Sequence, residues 1–136
     1  MLQPRKSKFK KQFRGKMRGF ASRGSTLAFG EYGLKSLGRT WLTDRQIEAA
    51  RKAISHHTKR AGKVWIRVFP DKPITKKPTG VRMGSGKGDI CGFVVPIVPG
   101  KIIFELAGVP EVIARLALKR AGAKLPFKTK IISKNE

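Results

Sequence analysis

The chain has 136 residues with 31 Lys and Arg against 8 Asp and Glu, a formal net charge of +23. That length suits one core with an appended segment, and 40% hydrophobic residues, eight Phe and two Trp among them, suffice for a modest core. So large a charge opposes the compact state unless a polyanion neutralises it, so nucleic acid is the first candidate partner and an anionic membrane surface the second.

Residues 1–30 contain no acid before Glu31, while Arg5, Lys6, Lys8, Lys10, Lys11, Arg14, Lys16, Arg18 and Arg23 recur through them. This pattern predicts a basic arm over residues 1–24, preceding a single domain over 25–136. Its acid-free character overlaps with that of organellar transit peptides, but the amphipathic apolar stripe of such a segment is missing. Phe9, Phe13 and Phe20 are interleaved with the cations. They suit two roles equally, stacking on bases or anchoring the arm to its own domain.

Residues 25–38 read as a hairpin or paired strands, with Leu27, Phe29, Tyr32, Leu34 and Leu37 punctuated by Gly30, Gly33 and Gly38. A helix is predicted over residues 44–61: Thr43 and Gln46 fit a capping box, Ile47, Ala50, Ile54 and Ala61 keep helical spacing, and Gly62 supplies the stop. Arg45, Lys52, His56 and Lys59 fall on another face, and Arg51 and Arg60 add to the helix's positive charge. Val64, Ile66 and Val68 alternate with Trp65, Arg67 and Phe69 in a strand that Pro70 and Pro73 end.

A long basic, glycine-rich connection follows over residues 74–92, with Lys76, Lys77, Arg82, Met83, Gly84, Ser85, Gly86, Lys87 and Gly88 at its centre. Pro99-Gly100 suits the two central positions of a type II turn, which predicts a hairpin between residues 93–98 and 101–106. Pro110 opens a second helix through about residue 121, with Val112, Ile113, Leu116 and Ala117 on its core side and Glu111 and Arg115 at i,i+4. A final strand follows around Phe127, Thr129 and Ile131. The order predicts an α+β fold, a mostly antiparallel sheet with two helices packed on one side.

Sites for chemistry are few. The glycine-rich stretch fails as a nucleotide-hydrolysing loop, because Val81 stands where the first glycine belongs and Gly88 where Ser or Thr would hold magnesium. Its free amides and cations suit a sugar-phosphate backbone instead. The adjacent His56 and His57 diverge by about 100° on a helix and do not form a metal pair. The single cysteine, Cys91, excludes an intrachain disulfide and reads as a small buried thiol. No paired carboxylates or catalytic constellation emerge, no metal or cofactor is called for, and no apolar run approaches the ~20 residues that a membrane span needs.

Several ordered segments carry a resemblance. They are Met1-Leu2-Gln3-Pro4-Arg5-Lys6 with Phe9 and Lys10, Leu42-Thr43 with Arg45-Gln46-Ile47-Glu48-Ala49-Ala50-Arg51, and Trp65-Ile66-Arg67-Val68-Phe69-Pro70-Asp71-Lys72-Pro73-Ile74-Thr75. Val81-Arg82-Met83-Gly84 with Gly86-Lys87-Gly88, and Pro99-Gly100-Lys101, complete the set. Together they resemble one family, the bacterial-type large-subunit ribosomal protein sixteen.

The resemblance implies a non-enzymatic component of the large subunit, monomeric within the particle, binding large-subunit ribosomal RNA and neighbouring ribosomal proteins in a bacterium or an organelle. By the same resemblance the arm would thread into ribosomal RNA. Arg45, Arg51, Lys52, Lys59 and Arg60 would join it there. The loop, with Arg82 and Lys87, would face aminoacyl-site transfer RNA and, as a second candidate, peptidyl-site transfer RNA near the peptidyl-transfer centre. One departure stands out: the family's Glu-Tyr-Trp-Val type strand start is replaced by Asp89-Ile90-Cys91-Gly92-Phe93-Val94, where Phe93 and Val94 still favour a strand. The rival that composition permits is a free-standing RNA chaperone or a cationic membrane-active protein.

Overall fold

A computed structural model describes residues 2–78, 80, 84 and 86–134. The elements are β1 (Tyr32–Ser36), β2 (Thr40–Thr43), α1 (Asp44–His57), β3 (Lys63–Ile66), β4 (Lys72–Lys76), β5 (Asp89–Ile97), β6 (Ile102–Ala107), α2 (Glu111–Gly122) and β7 (Thr129–Ser133). The fold class is α+β, as the element order predicts. The strands divide into two antiparallel sheets, one in the order β3-β6-β1-β7 and one in the order β2-β5-β4.

The four-stranded sheet is the spine. Strand β6 is buried from Ile102 to Leu106, and Leu34, Phe104 and Leu106 join Ile47, Ala50 and Ile54 of α1 and Ala114, Ala117, Leu118 and Ala121 of α2 in one core. A β-carbon on Gly122 would sit 3.9 Å from Leu34 and 2.6 Å from the Thr129 hydroxyl, so α2 rides directly on β1 and β7. Small residues allow this approach. The expected core side of α2 is therefore corrected: Val112 is 71% exposed and Leu116 45% exposed, while the alanines and Leu118 face inward.

Helix α1 starts as predicted. The Thr43 hydroxyl accepts from the Gln46 N–H at 3.2 Å and the Gln46 side chain accepts from the Thr43 N–H at 3.0 Å. It ends earlier than predicted, at His57. The Thr58 hydroxyl donates to the Ile54 carbonyl at 3.0 Å, and Lys59 and Arg60 then enter the left-handed region at φ 54° and 64°.

Three pairings differ from expectation. Residues 25–38 form no hairpin; β1 instead lies between β6 and β7, so its partners come from the far end of the chain. The Pro99-Gly100 turn does form, with Gly100 at φ 94° and the Lys101 N–H donating to the Val98 carbonyl at 3.3 Å. It joins β5 of one sheet to β6 of the other, so the expected hairpin is a crossing between sheets. Finally, β4 occupies part of the stretch read as connection, with Pro73 opposite Phe93 on an edge strand, where a residue lacking N–H is tolerated.

Candidate nucleic-acid interface

Residues 2–31 adopt no helix or strand, and all nine arm cations, Arg5, Lys6, Lys8, Lys10, Lys11, Arg14, Lys16, Arg18 and Arg23, are exposed. Like charges this dense repel one another, and no acid in the segment offsets them. Phe9 is 62%, Phe13 93% and Phe20 76% exposed, so none of the three anchors the arm in the core.

The arm's middle lies against the foot of the basic loop. Lys87 donates to the Gln12 carbonyl and Lys72 to the Arg14 carbonyl, while Lys11 donates to the Lys87 carbonyl at 3.2 Å. Trp41 of β2 receives two cations, the Arg14 guanidinium at 5.8 Å and the Lys72 ammonium at 4.9 Å from its ring centre. The Lys87 ammonium stands 6.0 Å from the Phe13 ring centre. Gln12, Arg14, Trp41, Lys72 and Lys87 line one hollow of about 150 Å³ there. Further along, Arg39 donates to the Gly19 carbonyl at 2.7 Å and covers Phe20 at 5.2 Å.

Strands β4 and β5 hold the loop's two ends together. A β-carbon on Gly88 would fall 2.8 Å from the Lys76 backbone, so only glycine permits the close approach. Beyond this foot, Gly80, Gly84 and Gly86 have φ of 90°, 100° and 96° and nothing within 4 Å of the β-carbon position, and Lys77 donates to the Gly84 carbonyl. Lys76 and Lys87 are exposed and Lys77 half-buried. Arg82, Met83 and Ser85 lie outside the described residues. Cys91 corrects expectation: it is exposed on β5.

A second basic surface lies on α1 and α2. Arg51, Lys52, Ser55, His56, Lys59 and Arg60 line a concavity of about 600 Å³. Lys52 and His56 also border a second concavity with Arg120 of α2 and Lys124 just beyond its end. Arg45 is exposed near the start of α1, and Arg51 pairs with Glu48, whose carboxyl that hydrogen bond holds below its ordinary range.

Sequence reasoning missed Lys72, Trp41, Arg39, Arg120 and Lys124 as members of these surfaces. Lys72 was visible within the resemblance-bearing segment, but it stands between Pro70 and Pro73, which were read as the end of the preceding strand. Trp41 has no local signal, because its cations come from residues far along the chain.

The junction between arm and domain rests on Glu105. Its side chain is wholly buried; Oε1 accepts from the backbone N–H groups of Ala28, Phe29 and Gly30 at 3.0, 2.9 and 2.9 Å, and Oε2 accepts from Arg67. Burial alone pushes this carboxyl up, but the amides of Gly30 and Phe29, Arg67 and the amide of Ala28 outweigh it, leaving it below the ordinary carboxylate range. Phe29 stacks on Trp65 at 6.0 Å between ring centres and lies 5.3 Å from the Arg67 guanidinium. Residues 28–30 are thus clamped to β6, next to the arm.

Among the described residues no His, Cys, Asp and Glu cluster suits a metal ion, and no helix is long and apolar enough to cross a membrane. A compact α+β body that displays cations and aromatic rings on an extended arm, and further cations on the stems of a glycine-rich loop and on a helix face, has the features of the nucleic-acid-binding class. Residues 4–132 match the family model described as ribosomal protein L16p/L10e. Two strains of Porphyromonas gingivalis have a large ribosomal subunit protein uL16 that is 57% identical over 136 residues, covering all of this chain and 94% of the relative. The protein of the same description from Parabacteroides distasonis is 56% identical over the same span. The chain belongs to the ribosomal protein L16p/L10e family, whose members are structural components and not enzymes.

Proposed function

We propose that this chain is a structural component of the large ribosomal subunit whose arm, residues 1–24, binds large-subunit ribosomal RNA, while the loop borne by its domain, residues 25–136, meets transfer RNA. One observation carries this reading: an acid-free arm with exposed cations and three exposed phenylalanines lies beside the foot of the basic loop. Phosphates neutralise such cations with release of counterions, and splayed bases stack on such rings. Arg5, Lys6, Lys8, Lys10, Lys11, Arg14, Lys16, Arg18 and Arg23, with Arg45, Arg51, Lys52, Lys59 and Arg60 of the folded body, are the ribosomal RNA contacts.

The loop has a different task. Its stems are fixed by β4 and β5, and its glycines let backbone amides come close to a sugar-phosphate chain. Lys76, Lys77, Arg82 and Lys87 supply charge, and Met83, Gly84, Ser85, Gly86 and Gly88 supply reach and close approach. The protein positions aminoacyl-site transfer RNA; the RNA performs the chemistry.

Two steps test this. Tagged protein should sediment with the large subunit through a sucrose gradient and stay after a wash at raised salt; a chain that runs free would favour the RNA-chaperone alternative. Arg82→Ala with Lys87→Ala should leave incorporation intact and reduce aminoacyl-site transfer RNA affinity of the particle by about tenfold or more, two charge-assisted contacts being removed. Unchanged affinity removes the assignment of the loop.

A further inference from the structure

The turn that ends α1 has an uncommon backbone. Lys59 and Arg60 are consecutive residues at φ 54° and 64°, a region where few residues other than glycine settle. Neither is Asn or Asp, the residues best suited to it after glycine. Local bonds hold the conformation. The Arg60 N–H donates to the Ser55 carbonyl at 3.0 Å, the Lys59 N–H to the His56 carbonyl at 3.2 Å and the Ala61 N–H to the Thr58 carbonyl at 3.0 Å. Below them, Thr58 is buried and its hydroxyl is tied to Ile54.

The backbone reversal has a side-chain consequence. A continued right-handed helix would carry residues 59 and 60 onward along its axis, with successive side chains about 100° apart. The left-handed pair turns the chain back instead, and both cations line one concavity with Arg51, Lys52, Ser55 and His56. Its lining contains no acid, and Glu48, which pairs with Arg51, stands outside it. Glycine at both positions would satisfy the backbone at lower strain. Cations placed there at a conformational cost indicate that their charge is used.

We infer that residues 51–60 form a preorganised phosphate clamp, which grips adjacent phosphates of a ribosomal RNA strand independently of the arm. This rests on the RNA-binding reading above and deepens it. The arm has no helix or strand to set its cations, whereas this turn is held by its own hydrogen bonds on a helix rooted in the core. Lys59 and Arg60 would contact the backbone phosphates, Arg51 and Lys52 the neighbouring ones, and the Ser55 hydroxyl would donate to a phosphate oxygen. Contacts of this kind fix position without reading sequence.

The test uses the full chain and a large-subunit ribosomal RNA fragment that the wild type retains, titrated at several salt concentrations. Three proteins are compared: wild type, Lys59→Gly with Arg60→Gly, and an arm variant, Arg14→Ala with Arg18→Ala. The glycine pair should melt no lower than wild type while its affinity falls about tenfold or more and its salt slope drops by about two. Lys59→Asn with Arg60→Asn, which keeps side chains suited to the left-handed region, should behave alike and guards against a folding defect. The arm variant should lose slope by a comparable amount, and combining it with the glycine pair should sum the two losses. Wild-type binding with an unchanged slope in both turn variants overturns the clamp and leaves the RNA-binding reading standing. Failure of the wild type to retain any such fragment overturns both.

Discussion

Replacing Glu105 probes the joint between arm and body. The carboxylate is wholly buried, with three backbone N–H groups on one oxygen and Arg67 on the other. Glu105→Ala removes the acceptor, leaves the three amides unmatched and strips the largely buried Arg67 guanidinium of its charge partner, its bond to the Thr26 carbonyl at 3.3 Å remaining. Breaking a buried pair in this way costs about 3–5 kcal/mol. Spread over a chain of this size, that lowers the melting temperature by roughly 10–15 °C. Glu105→Gln keeps a carbonyl oxygen for the amides but loses the charge-assisted bond, a cost of about 1–2 kcal/mol.

The pH dependence follows from the lowered carboxyl. Such a group stabilises the fold above its unfolded value, near 4, and that contribution is lost as pH falls through its folded value. Urea denaturation at constant ionic strength should therefore rank wild type above Gln above Ala at pH 7, with the gap between wild type and Gln closing as the medium is acidified below about pH 4. A glutamine variant within about 0.5 kcal/mol of wild type at pH 7 would refute the clamp. So would a gap that persists at low pH.

Two other substitutions separate backbone strain from interface. Gly62→Ala forces a residue with a side chain to φ 74° and places its β-carbon 2.4 Å from the Ala107 carbonyl oxygen, so it should cost about 3 kcal/mol or more in chemical denaturation. A loss under about 1 kcal/mol would show that the β3–β6 edge gives way easily. Phe13→Ala should leave stability within about 0.5 kcal/mol of wild type, since the ring is 93% exposed, yet weaken binding to single-stranded RNA by roughly 1–3 kcal/mol. Unaltered RNA affinity would remove Phe13 from the interface.

The sequence was most legible where causes are local. Thr43 and Gln46 announce the start of α1 because a capping box is complete within one turn, and Pro99-Gly100 announces its turn because the φ requirement belongs to those two residues. What that turn connects was not legible, since β5 pairs with β2 and β4 while β6 pairs with β1 and β3. In α2 the expected core side held for Ala117 but not for Val112, Ile113 and Leu116, which bulk had suggested. Packing chose Ala114, Ala117 and Ala121, whose size permits close approach. The strand β4 was hidden by Pro73, and the Glu105 clamp by the 38 positions separating it from Arg67. On the interface, the arm cations and the phenylalanines were visible as composition, whereas Trp41 and Lys72 become partners of Arg14 only after folding.

The two sheets are unequal foundations. In the four-stranded sheet, β6 is buried along its length and every neighbour is itself part of the body. The three-stranded sheet has Pro73 and Pro96 in its ladders and exposed residues from Asp89 to Cys91. Amide hydrogens near the loop's stems should therefore exchange through local opening, on a shorter timescale than those of β1 and β6, which hydrogen-exchange measurements would show directly. The loop is mounted on the compliant part of the molecule. Its stems can yield under load while the core beneath α1 and α2 keeps its shape.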